Sequence, residues 1–172
     1  MNRRLLKIHA VLLLSMAWQS ARTDDGAVSD ARDAAAAFVA TQAFVVGRLG
    51  RDCLELLGRH ESPREFIEAW QQQNAKYYDA AIKYMDVRLR QVADNTGPSD
   101  RDGVERAYNN AVAQRGEAAV NSLFQKGAKD EVCKFELTLI DSGRMNMDAI
   151  IGSSALPVLK EVEALATWAA TR

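Results

Sequence analysis

The stretch SPREFIEAWQQQNAKYYDAAIKYMDVRL, Ser62–Leu89, decides the fold class. Ser62 can cap a helix, Pro63 suits the first helical position, and Glu65 completes a capping box with Ser62. Beyond that opening, at about 100° per residue, Phe66, Trp70, Tyr77, Ala81 and Tyr84 fall within about 60° of one another. Glu68, Gln72, Lys76, Asp79, Lys83, Asp86 and Arg90 gather on another side, with Asp79/Lys83 and Asp86/Arg90 in the favourable acid-before-base order. One amphipathic helix is expected, halted by Asp94-Asn95-Thr96-Gly97-Pro98.

The flanking segments carry the same helical period. Ser29, Asp30 and Asp33 precede an Ala-rich run in which Phe38, Val45, Leu49, Cys53 and Leu56 share a face, giving a helix over about 30–57. Gly47 and Gly50 in that helix either permit a close helix crossing or mark a bend. Ser99 with Asp102 repeats the capping pattern for a helix through Val104, Tyr108, Val112, Ala119 and Leu123, interrupted at Gly127. DEVCKFELTLI, 130–140, fits a shorter helix, although the alternation of Phe135, Leu137 and Leu139 also suits a strand. Helix is expected there, because a strand would find no partner elsewhere in the chain. Residues 145–152 suit one short helix, and LPVLKEVEALATWAA closes the chain with a stripe of Val158, Val162, Leu165 and Ala169. The expected fold is all-α, an antiparallel bundle of four main helices with an additional short helical segment.

The N-terminus limits where such a bundle would work. MNRRLLKIHAVLLLSMAWQSA has a basic start, a short apolar run and small residues at Ala17 and Ala21, either of which suits a signal peptidase. Residues 1–21 are therefore expected to be a Sec-type signal peptide, and 22–172 a single helical domain in the periplasm or secreted. No stable membrane span is expected after cleavage. Without Arg3, Arg4 and Lys7, 19 of the 22 Lys and Arg remain against 23 Asp and Glu. That acidic balance offers no basic stripe for nucleic acid. Cys53 and Cys133 are the two cysteines of the chain, and in an oxidising compartment they are expected to pair.

The candidate site follows from polar groups on apolar faces. Asn74 and Arg88 lie on or beside the aromatic face of Trp70, Tyr77 and Tyr84, Arg115 falls on the Val104/Tyr108 side of its helix, and Gln42 on the Phe38/Cys53 side. A buried guanidinium needs a carboxylate, several acceptors or a route to water. These groups either satisfy one another within a core or line a pocket with aromatic walls and an arginine clamp. A mostly packed face with a small polar opening near Asn74 and Arg88 is expected.

Catalytic constellations are weak by comparison. His60 is the single histidine beyond residue 21, which precludes a multi-His zinc site within one chain. Glu61 and Glu65 allow a remote hydrolase reading, but carboxylates are common at helix starts. Met145 and Met147 could ligate soft copper, yet methionines at such spacing are usually packing groups. No cofactor and no metal is expected. The expected role is a noncatalytic binding or protein-interaction module with an envelope or secreted protein partner, regulation or inhibition of that partner being one such task. The alternative is a carrier whose interhelical aromatic and arginine pocket takes a small-molecule ligand.

Overall fold

A computed structural model describes residues 28–172, so the expected signal peptide at 1–21 lies outside the described residues. Seven helices follow one another there: α1 Asp30–Cys53, α2 Pro63–Gln73, α3 Ala75–Thr96, α4 Pro98–Phe124, α5 Lys129–Asp141, α6 Met147–Ser153 and α7 Pro157–Ala170. No strand occurs among the described residues, and 130–140 is helical. The architecture is the expected all-α bundle, with α1, α3, α4 and α7 as its four strongly packed helices.

Local signals explain the boundaries. The Ser29 side chain accepts from Arg32 N at 3.3 Å and starts α1. At α2 the capping box is complete, with Glu65 N donating to Ser62 Oγ at 3.2 Å and Ser62 N donating to Glu65 Oε2 at 2.8 Å. Two expected starts and ends move. The first helix stops at Cys53 and passes through a turn to Gly58, whose φ of 65° favours glycine, leaving Leu56 exposed. The third main helix begins at Pro98 after Gly97, which has φ 105°, so Ser99 is not its cap; proline needs no N–H at the first helical position.

The larger correction falls within the opening stretch. The expected single helix is two, α2 and α3, separated at Asn74 with φ −111° and ψ 18°. Periodicity carries through because the break keeps the phase: Phe66, Trp70, Tyr77, Ala81 and Tyr84 are all buried. The cause is tertiary. Asn74, 3 % exposed, turns its amide to the start of α6, where Met147 N donates to Asn74 Oδ1 at 2.6 Å. Its Nδ2 donates to Trp70 O at 2.7 Å and Asn146 Oδ1 at 3.2 Å. One side chain thereby serves an orphan N–H at a helix start and a carbonyl at a helix end.

α1 is the centre of the bundle, packing against α2, α3, α4, α5 and α7. Ala35, Ala36, Ala37 and Ala43 are buried on it, as are Ala80 and Ala81 of α3, and small side chains let the helices approach closely. Tyr84 of α3 meets Ser29 and Asp33 at the start of α1, so α3 runs back along α1. α4 then runs with α1, since Glu117 reaches Arg48 and Gly116 lies under Phe44. The Gly50 crossing has the same logic, for a Cβ there would stand 2.8 Å from Phe66 Cδ1. The Cys53–Cys133 disulfide, expected from composition, ties the end of α1 to α5 with both residues fully buried.

The expected stripe of α4 is only half realised. Its buried residues are Val112, Gly116 and Val120, whereas Val104, Tyr108 and Leu123 are half-buried and Ala119 is exposed. No residue of 98–111 is buried. α4 is seated by its C-terminal half at the Gly116–Phe44 contact, and its N-terminal half walls a groove.

Candidate functional site

The aromatic part of the expected site is bound into the core. Trp70 Nε1 donates to Met145 O at 3.1 Å. Tyr77 donates to Asp148 Oδ1 at 2.5 Å and accepts from Lys76 Nζ at 3.1 Å. The Tyr84 hydroxyl sits 2.6 Å from Asp33 Oδ1 and 3.1 Å from Ser29 O, and its ring meets Trp168 edge-on at 5.7 Å. Burial, reinforced by Asp148 and Asp33 respectively, pushes both phenols above the usual tyrosine range and keeps them protonated as donors. Together with Asn74 these side chains join α2 and α3 to α1, α6 and the segment before α6. The expected opening beside Asn74 is absent, because Asn74 is sealed against α6.

The arginine part lies elsewhere, at an open groove of about 720 Å³ between α1, α3 and α4, with Val158 of α7 at its edge. Arg88 and Arg115 both line it, as do Gln42, Phe38 and Tyr108. Arg88 stands about 14 residues, roughly 21 Å along a straight helix, from Asn74, so the two do not share an opening. Its Nε is 3.6 Å from Asp33 Oδ1, a loose ion pair with both side chains partly exposed. Arg115 is exposed rather than set into a core face.

Phe38 and Tyr108 belong to this site, although the wheel assigned both to core stripes; each is half-buried and presents its side to the groove. Burial, with Asp33 nearby, pushes the Tyr108 phenol up to about 12, so it stays a hydrogen-bond donor across the physiological range. Among the described residues, Arg115, Gln42 and Tyr108 make no ion pair or side-chain hydrogen bond, and all three line the same groove. A few polar groups without partners along apolar walls are the ordinary signature of a binding site.

A second groove, about 600 Å³, lies between α2 and α5 beside the α1–α2 connection. Its charges are largely engaged: Arg59 pairs with Glu61 and, at 2.8 Å, with Asp141 Oδ2, while Glu65 is held by the Ser62 cap. Arg59 holds the Glu61 carboxyl below its ordinary range. The carboxylates singled out for a hydrolase thus anchor a connection and a helix start. Met147 is fully buried, the Met145 carbonyl serves Trp70, and no metal-holding group of three His, Cys, Asp or Glu occurs among the described residues. No described helix is long and apolar enough to cross a membrane.

Comparison with protein families, with curated proteins and with solved structures finds no match to this chain.

Proposed function

We propose that this chain is a noncatalytic binding module, working in the periplasm or after secretion, that holds its ligand in the groove between α1, α3 and α4. The observation that carries the reading is that Arg115, Gln42 and Tyr108, none partnered among the described residues, all line one groove with apolar walls. Its volume falls within the range of roughly 300–1,000 Å³ usual for small-molecule sites. The location rests on the basic and apolar pattern of residues 1–21.

The test uses 8-anilinonaphthalene-1-sulfonate, a fluorescent apolar anion, and the variant Ala107→Trp. Ala107 lines the groove yet is exposed, so an indole there fills the groove without entering the core. Saturable one-to-one binding by the folded chain, lost in Ala107→Trp with an unchanged unfolding midpoint, supports the reading. Equal binding by both proteins, or none by either, refutes it.

A protein-contact reading is favoured by a separate observation. Ile82 is 52 % exposed beside Tyr78, Met85 and Leu89 on the α3–α4 side. An envelope or secreted partner would use that apolar surface, and Ile82→Glu should abolish its capture while leaving the groove probe bound.

A further inference from the structure

The groove is electrically polar along its length. Asp30 and Asp33 stand at the start of α1, and Asp33 is engaged by Tyr84 and Arg88. At the other end Gly116 presses on Phe44, which brings the preceding Arg115 to the level of Gln42. Asp33 and Gln42 are nine residues apart on α1, so the poles are separated by about 14 Å. Between them the walls are apolar, with Ala37 and Phe38 facing Val104 and the Tyr108 ring.

An anion is drawn to the guanidinium of Arg115 and repelled from the carboxylates at the far end. The Gln42 amide supplies a further donor for its oxygens, while Tyr108, seven residues or about 10 Å back along α4 from Arg115, lies toward Asp33. A fully apolar ligand would leave Arg115 and Gln42 to water, and a cation head drawn toward Asp30 and Asp33 would meet the guanidinium of Arg88, which already sits 3.6 Å from Asp33 Oδ1. We propose, building on the binding role argued above, that the groove takes a free amphiphilic organic anion with its head at Arg115 and Gln42 and its apolar body along Phe38 and Val104. The acidic pole sets the orientation, since a reversed ligand would place its head beside Asp30 and Asp33, two carboxylates against the single guanidinium of Arg88.

The experiment titrates the whole chain with three monomeric probes of equal chain length: dodecanoate, dodecanol and dodecyltrimethylammonium. Calorimetry gives affinity, and the Gln42 side-chain amide resonances report location. Dodecanoate is expected to bind at least tenfold more tightly than either other probe and to shift the Gln42 amide. Arg115→Gln, at an exposed position with no partner among the described residues, should erase that preference, and Arg115→Glu should invert it toward the cation. If all three probes shift groove resonances with equal affinity, or if Arg115→Gln leaves the preference intact, the anion proposal fails while the groove remains a binding site. If none perturbs the groove, the binding role fails with it. Co-sedimentation with phosphatidylglycerol vesicles in the absence of monomer binding would overturn the free ligand in favour of a membrane surface.

Discussion

Replacing Asn74 by Ala tests whether the break between α2 and α3 is held by tertiary contacts. Helix propensity alone says that the change is favourable, because Ala replaces a poor helix former by up to about 0.7 kcal/mol. The structure says the opposite. The substitution removes the acceptor of Met147 N and both Nδ2 donations, at a site 3 % exposed. Each lost hydrogen bond costs about 0.5–1.5 kcal/mol, and an N–H left buried without an acceptor about 1–3 kcal/mol. The contributions overlap, so after the propensity gain a net loss of about 2–4 kcal/mol is expected. For a chain of this size that corresponds to a Tm lowered by about 4–16 °C. Urea unfolding with the disulfide intact measures the loss, and hydrogen exchange at the Met147 amide locates it. Asn74→Asp keeps an acceptor for Met147 N but aims a carboxylate at Trp70 O, and should also destabilise. A neutral or stabilised Asn74→Ala would show that the break is a local accident of the helix and that the amide does not organise α6.

Three other outcomes are expected. Gly116→Ala places a methyl group 2.9 Å from Phe44 Cε1 and Cγ, closer still to Cδ1, and should cost about 1–3 kcal/mol, whereas Gly103→Ala meets open space and should stabilise by up to about 1 kcal/mol in the same denaturant assay. Glu136, 7 % exposed, has its carboxyl pushed above the usual range by burial, partly offset by Lys126, so its native state holds the proton more tightly than the unfolded chain. Its contribution therefore falls as pH rises from the unfolded value, about 4.3, through the raised native one. Glu136→Gln should be more stable than wild type at pH 7, with the gap closing near pH 3, as read by unfolding midpoints across that range. Reducing Cys53–Cys133 frees a loop of 80 residues, for which chain entropy gives about 4–5 kcal/mol, and because both cysteines are fully buried the native thiols should appear to an alkylating reagent only as fast as the protein opens. Rapid alkylation under native reducing conditions would contradict that burial.

Sequence by itself determined what acts within about one helical turn. Ser29, the Ser62/Glu65 box and the Gly97-Pro98 stop announce helix ends because a cap bonds to N–H groups two or three residues away. The buried side of α2 and α3 was legible for the same reason, since Phe66, Trp70, Tyr77 and Tyr84 recur at the helical period. The disulfide followed from two cysteines and an inferred compartment, and with it the meeting of the end of the first helix with the segment at 130–140. Tertiary structure alone decided the rest. Asn74 breaks its helix because of Asn146 and Met147, more than seventy residues away in sequence, a contact no local periodicity encodes. Arg88 and Arg115 stood out as cations off the solvent stripe, yet their opening onto one groove depends on where α4 is seated. Gly116 draws the C-terminal half of α4 onto Phe44, and the unburied 98–111 half leaves Phe38 and Tyr108 as walls instead of core. A helical wheel tells which residues share a side; the helix that covers that side is set by packing between distant segments.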